Sequence, residues 1–138
     1  MKKETWTDKL DGIGGLDYIT FLNVPMRSSE FGPVIDCPIQ NLEKMAAIAI
    51  IKEKIPLRGK EVRFLRKVLG LSREKFAAKL DLSSGAIVKW EQAENERLHL
   101  VNEITVRIFV ADQLELDTQF RFSDFIEGKL HKLELKAA

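Results

Sequence analysis

The stretch at residues 72–91, SREKFAAKLDLSSGAIVKWE, constrains the fold more than any other part of the chain. Its length, and the positions of its helix-capping and turn residues, are typical of two short helices joined by a tight turn. Phe76, Ala77 and Leu80 lie at helical spacing, which predicts a first helix with one apolar side. Asp81 follows where that helix must stop, and Asp tolerates the left-handed backbone that such a turn requires.

The second predicted helix begins at Ser83 or Ser84, because a serine hydroxyl caps the first free N–H groups of a helix. Ile87 and Trp90 are three residues apart and form its buried edge. Small and polar side chains on the opposite face are what a DNA major groove accepts. On this helix the outward residues are Ser84, Gly85, Val88 and Lys89.

Positive charge is concentrated around the same stretch, although the whole chain has a formal net charge of only +1. Residues 58–89 hold nine basic and three acidic side chains, whereas residues 1–57 hold seven and eight, and residues 90–138 hold six and ten. A local basic excess is the electrostatic footprint of a surface that binds a polyanion. A solvated helix face rich in lysine is the alternative, but the coincidence with the two-helix pattern favours nucleic acid.

Length, composition and the positions of Cys and His argue against membrane proteins, metalloproteins and enzymes. With 138 residues and 45% hydrophobic content, the chain predicts one domain plus a small appendage. We expect a cytoplasmic protein, since the sequence has neither a membrane-spanning run nor the apolar core of a signal peptide. Cys37, His99 and His131 show no metal-ligand spacing, and no catalytic constellation is visible. We therefore expect no metal, no cofactor and no enzymatic activity.

In the N-terminal region, residues 1–56, the sequence predicts a flexible lead-in, a few strands and one helix. The runs LDYITFLNVP and FGPVIDCPI are typical of two short strands, which together form a hairpin or meander. The helix begins near Asn41 and is stopped by Pro56.

The rest of the chain divides into residues 57–117, with the two-helix pattern, and a C-terminal segment at residues 118–138. In the first part we expect a helix from Arg58 with Gly70 as its C-cap, and another that begins at Val101. The C-terminal segment is dense in aromatic side chains, which we expect to dock onto this domain or a dimer mate. Its apolar residues are Phe120, Phe122, Phe125 and Ile126.

The run RFLRKVLGLSREKFAAKL followed by LSSGAIVKWE resembles the Xre family of helix-turn-helix regulators, which includes the phage Cro and repressor proteins. The resemblance covers residues 59–108. It implies a mainly α fold, a five-helix Xre-type helix-turn-helix DNA-binding domain with a small N-terminal β hairpin or meander. It also implies a structural ion pair between Arg66 and Glu91 that ties the first helix to the end of the recognition helix. A glutamate beside a buried tryptophan needs such a partner, because a lone buried charge is strongly destabilising.

The whole chain also resembles MqsA-like antitoxins, on GLDYITFLNV and PLRGKEVRFLRKVLGLS. Those proteins join a small zinc-binding β domain to an Xre-type domain. Where they place a C-x-x-C before a glycine, this chain has Ser28 and Phe31 before Gly32. We therefore expect the N-terminal region to lack the zinc site and to be held by apolar packing alone.

The candidate DNA contacts follow from position. Ser72 and Arg73 begin the first motif helix, where backbone N–H groups and a guanidinium suit a phosphate. Lys89 suits the acceptors of guanine, while Arg97 in the following loop is a further phosphate candidate. Lys75 and Lys79 add non-specific attraction. The full predicted set is Ser72, Arg73, Ser83, Ser84, Gly85, Lys89 and Arg97.

Three functions remain open from the sequence. The first is a sequence-specific, repressor-like transcriptional regulator that binds double-stranded DNA as a homodimer, with one recognition helix per half-site. The second is an antitoxin that binds its toxin and represses its own promoter. The third is a degenerate helix-turn-helix that serves as a protein-interaction module. The dimer surface is open between the C-terminal aromatic segment, the N-terminal strands and the helix after Val101.

Overall fold

The protein is described by a computed structural model that covers residues 4–138. Two compact units divide this range, one formed by residues 4–46 and 132–138 and the other by residues 47–131. In chain order the elements are β1 (Thr5–Ile13), β2 (Leu16–Ser29), β3 (Gly32–Ile35), α1 (Ile39–Lys52), α2 (Gly59–Val68), α3 (Arg73–Lys79), α4 (Ser84–Gln92), α5 (Leu100–Gln113), α6 (Phe122–Glu127) and β4 (Leu133–Lys136).

The first unit is built around the long central strand β2. On one side β2 pairs antiparallel with β1, with Leu10 opposite Phe21. On the other side β2 pairs in succession with β4, which is parallel, and with β3, which is antiparallel. Ile19 lies opposite Leu133 in the parallel pair, and both side chains are buried. The core of this unit is therefore made by apolar cross-strand neighbours, the usual unit of sheet stabilisation.

The prediction of a mainly α fold with five helices is wrong. The fold is mixed α/β, with 44% helix and 24% strand, and it has a four-stranded sheet and six helices within the described residues. The predicted irregular lead-in is instead β1, and its glycines explain the error. Gly14 and Gly15 form a two-residue turn between Ile13 and Leu16, with φ angles of 57° and 83°. Turns of this kind need positive φ at both central residues, so these glycines make the hairpin.

The second unit contains the residues of the two-helix pattern, and here local signals give the helices their limits. Ser72 caps α3 by accepting a hydrogen bond from the Lys75 N–H at 3.2 Å. Ser83 caps α4 in the same way, from the Ala86 N–H at 3.2 Å. Between the two helices Asp81 has a left-handed backbone, with φ of 57°. These features confirm the predicted helix, turn and helix.

Buried charged groups tie the helices of this unit to its loops. Glu103 is completely buried and accepts hydrogen bonds from the Leu57 N–H at 2.9 Å and from the Arg97 guanidinium. Arg107 is buried one turn further along the same face of α5 and donates to the carbonyls of Ile50, Ile51 and Ile55. A cation on the last carbonyls of a helix satisfies acceptors that the helix itself leaves open. Arg107 thus closes the C-terminal end of α1.

Candidate nucleic-acid interface

Apolar packing fixes the inner side of α3 and α4. Phe76 and Ala77 on α3 and Ile87 on α4 are buried. The ring of Phe76 meets that of Phe109 edge to face, with centroids 5.9 Å apart at an angle of 61°. Such a pair adds to the stability gained from burial alone. α4 therefore packs against α3, which in turn packs against α5.

The outer face of α4 is exposed and carries short or polar side chains. Ile87 and Glu91 are buried on one side of the helix, so the residues on the other side face solvent. Ser84, Val88 and Gln92 are spaced by four residues and form one row along the helix, in which Ser84 and Gln92 are exposed and Val88 is half-buried. Gly85 and Lys89 lie beside them and are exposed. This arrangement presents a continuous outward surface with two long polar side chains, Lys89 and Gln92.

A buried charge cluster holds the end of α4 against α2. Arg66 on α2 donates two hydrogen bonds to the Glu91 carboxylate, at 2.7 and 2.9 Å, and a third to the Leu71 carbonyl at 3.0 Å. Arg73 adds a longer contact to the same carboxylate, at 3.2 Å. The Glu91 side chain is 2% exposed and that of Arg66 is 9% exposed. Two planar guanidinium groups thus satisfy one buried carboxylate.

A close backbone contact adds a second attachment between the same helices. The first N–H groups of α2, those of Gly59 and Lys60, donate to the carbonyls of Glu96 and Glu94 at 3.2 and 3.1 Å. A Cβ atom on Gly59 would lie 1.9 Å from the Trp90 carbonyl oxygen. Only glycine fits at this position. The loop after α4 therefore caps the start of α2, which explains how these N–H groups are satisfied.

The structure brings most of the predicted site residues to one region. Ser84, Gly85 and Lys89 share the exposed part of α4, and the capping Ser83 immediately precedes them. Ser72 is exposed at the start of α3. The side chain of Arg73 is 48% exposed, although it also contacts Glu91. These six residues belong to the two motif helices and their caps.

Arg97 has a different environment. Its guanidinium makes two hydrogen bonds to the Glu103 carboxylate, at 2.8 and 3.0 Å, and another to the Phe125 carbonyl. The hydrogen bond with Glu103 raises the pKa of Arg97 above its ordinary value, against the opposing effect of burial. Arg97 joins α5 and α6, and its contact with phosphate stays a prediction from the sequence.

The lysines account for the basic excess of this region. Each of the four arginines of residues 58–89 has a carboxylate partner: Arg58 pairs with Glu61, Arg63 with Glu94, and Arg66 and Arg73 with Glu91. By contrast, no lysine of this segment forms an ion pair with any of residues 4–138. The five are Lys60, Lys67, Lys75, Lys79 and Lys89. The unbalanced positive charge is thus available to solvent anions.

Sequence reasoning missed two residues beside this surface. Gln92 continues the row of Ser84 and Val88, and the four-residue spacing would have identified it. Arg63 lies with Arg73 and Gln92 around a shallow depression at the α2 side of α4. Its position depends on how α2 packs against α4, which no local pattern reveals.

No protein-family model, curated protein or solved structure matches the chain. The Xre-type and MqsA-like resemblances therefore stay predictions from the sequence. Within residues 4–138, no group of three or more His, Cys, Asp or Glu side chains is placed to hold a metal ion. No helix in that range is long and apolar enough to cross a membrane.

Proposed function

We propose that this protein is a sequence-specific transcriptional regulator that binds double-stranded DNA as a homodimer. The observation that carries the proposal is the exposed face of α4 within a segment whose lysines have no ion-pair partner among residues 4–138. An exposed helix with small side chains at its start can enter the major groove. Lysines without internal partners can neutralise phosphates and release counterions.

In this proposal the two long polar side chains of α4 read base edges. Lys89 donates to the O6 and N7 acceptors of guanine, and Gln92 makes a bidentate contact with adenine. Ser84 and Gly85 present little bulk, which lets the start of the helix approach the base pairs closely. Since few side chains reach the bases, DNA shape and deformability carry part of the specificity.

The attachments of α4 suit this role because base readout requires a fixed helix. The Glu91 carboxylate is held by Arg66 and Arg73, and the backbone of Gly59 lies against that of Trp90. Both attachments act at the last turns of α4, on the side away from solvent. Ser84 and Lys89 are consequently displayed by a helix with little freedom to tilt.

The homodimer in the proposal is supported by apolar side chains on the outside of α5. Val101 is 74% exposed and Ile108 is 53% exposed, and Ile104 lies between them on the same side of the helix. Exposed apolar residues grouped in this way are typical of interaction sites. Because all three residues are apolar, this face of α5 can pack against the same face of a second copy across a two-fold axis.

The central experiment is a selection of DNA fragments with the full chain, followed by a salt titration on the enriched site. We expect Lys89→Gln to relax the preference for one base pair by about 1–3 kcal/mol and to leave the salt slope nearly unchanged, because Lys89 contacts a base rather than a phosphate. Lys44→Gln is the control, because Lys44 is also exposed but lies on α1 outside the basic segment. The proposal is refuted if no sequence is enriched, or if Lys89→Gln and Lys44→Gln behave alike.

Sedimentation equilibrium tests the dimer. We expect Ile108→Asp to shift the protein toward the monomer, because a charge placed on both copies repels itself across the axis. Thr118→Asp, away from α5, serves as the control. A chain that is monomeric at all concentrations, or a dimer that is indifferent to Ile108→Asp, contradicts this part of the proposal.

A further inference from the structure

A groove lies beside α4, between its last turns and the loop that leads to α5. It has a volume of about 480 Å³, which falls within the range of clefts that take small molecules. The floor is apolar and is formed by Ala86, Trp90, Ala93 and Leu98. Trp90 lines the groove and is half-buried. A flat apolar group fits such a floor.

Two opposite charges stand at the rim of this groove. Lys89 and Glu96 both line it, and both are exposed. Neither side chain forms an ion pair with any other residue of the described range 4–138. The third charged lining residue, Arg97, is already paired with Glu103. The groove therefore offers one cation and one anion to a ligand.

We propose that the groove binds an apolar α-amino acid as its zwitterion. The carboxylate of the ligand pairs with Lys89, its ammonium group pairs with Glu96, and its side chain lies over Trp90 and Leu98. Resting on the proposed function, this site would be regulatory, because a carboxylate held by Lys89 removes that ammonium group from the DNA-reading face. The amino acid then lowers the affinity for the operator.

Trp90 fluorescence tests binding without DNA, with L-phenylalanine as the probe. The chain has two tryptophans, so the experiment uses a Trp6→Phe background, in which Trp90 alone emits. We expect a saturable change in Trp90 emission. Phenylacetate and phenethylamine, each with one of the two charges, should bind about two- to fivefold more weakly, as expected for exposed ion pairs.

Variants of Lys89 and Glu96 test which charged group of the ligand each side chain binds. Glu96→Gln should make phenylalanine bind no better than phenylacetate, and Lys89→Gln should make it bind no better than phenethylamine. Ala93→Met should fill the floor and abolish the fluorescence change, while Lys79→Gln, on the exposed side of α3, should leave it intact. The site is refuted if phenylalanine gives no saturable change, or if all three probes bind equally.

A DNA-binding titration with and without phenylalanine separates the two proposals. A weaker operator affinity in wild type, but not in Ala93→Met, supports the regulatory role. Phenylalanine binding that leaves operator affinity unchanged overturns that role. If no operator exists, the proposed function fails, whereas the groove is still judged by fluorescence alone.

Discussion

Replacing Arg66 by Met tests whether the buried charge cluster holds α4 in place. The change removes two hydrogen bonds to Glu91 and one to the Leu71 carbonyl, while it keeps most of the apolar stem of the side chain. Glu91 remains buried and is then left with Arg73, whose side chain is half solvent-exposed. The carboxylate has thus lost its main partner without regaining water.

The expected cost follows from that geometry. Removing one member of a buried ion pair destabilises a protein by about 3–5 kcal/mol. Because Arg73 still contacts Glu91, we expect the lower end, a loss of about 3 kcal/mol. A small domain has a total stability of about 5–15 kcal/mol, so such a loss is large.

Urea denaturation of the full chain measures this effect as a lower midpoint at an unchanged m-value. Arg63→Met is the matched control, because the Arg63–Glu94 pair has a similar length of 2.8 Å but is more open to solvent, with the two side chains 29% and 50% exposed. We expect it to cost less than about 1 kcal/mol. The double variant Arg66→Met, Glu91→Leu should recover much of the loss, since no buried charge is left between α2 and the end of α4. Equal costs for Arg66→Met and Arg63→Met would refute the reasoning.

Two further predictions concern the backbone and the acid stability of the same unit. Gly59→Ala should lower the free energy of unfolding by about 3 kcal/mol or more, because its Cβ would lie 1.9 Å from the Trp90 carbonyl oxygen. Gly85→Ala is the control, because its Cβ would have no neighbour nearer than 3.9 Å. In the same denaturation assay it should be neutral or stabilising by up to about 1 kcal/mol. The hydrogen bond from the Arg121 N–H, together with Lys54, lowers the pKa of Asp124 below its ordinary value of 3.8. Because the folded state thus favours the carboxylate, its stabilising effect should be full above about pH 5 and disappear as the pH falls through the folded pKa. Melting temperatures of wild type and Asp124→Asn should therefore differ near neutral pH and converge in acid, and a constant difference would contradict this assignment.

The parts of the fold that the sequence predicts are those that depend on near neighbours. The serine caps of α3 and α4, the left-handed Asp81 and the positive φ of Gly70 all act within a few residues of where they occur. Helix capping and turn formation are local, so their signals can be read without knowing the rest of the chain.

The missed parts depend on distant partners. β4 has only four residues, and it pairs with β2 through contacts such as Leu133 with Ile19. The buried side chains of Glu103 and Arg107 lie on α5, and nothing in the sequence of this helix indicates that these charged residues are buried. Their partners, the Leu57 N–H and the carbonyls at the end of α1, come from segments about fifty residues away. Burial of such groups becomes favourable only when the tertiary fold supplies those partners.

Arginine and lysine have different roles in residues 58–89, and this difference determines how the proposed DNA binding should depend on salt. Every arginine of residues 58–89 has a carboxylate partner, and the Arg66–Glu91 pair is deeply buried. The planar, forked guanidinium suits fixed pairs of this kind, whereas the hydrated ammonium of lysine suits phosphates that the protein must reach and release. The five lysines of this segment form no ion pair within the described part of the chain, so they would give an affinity that depends steeply on salt, while Lys89 and Gln92 distinguish bases. Much of the specificity must then come from the spacing of two half-sites in a dimer and from the shape of the DNA between them.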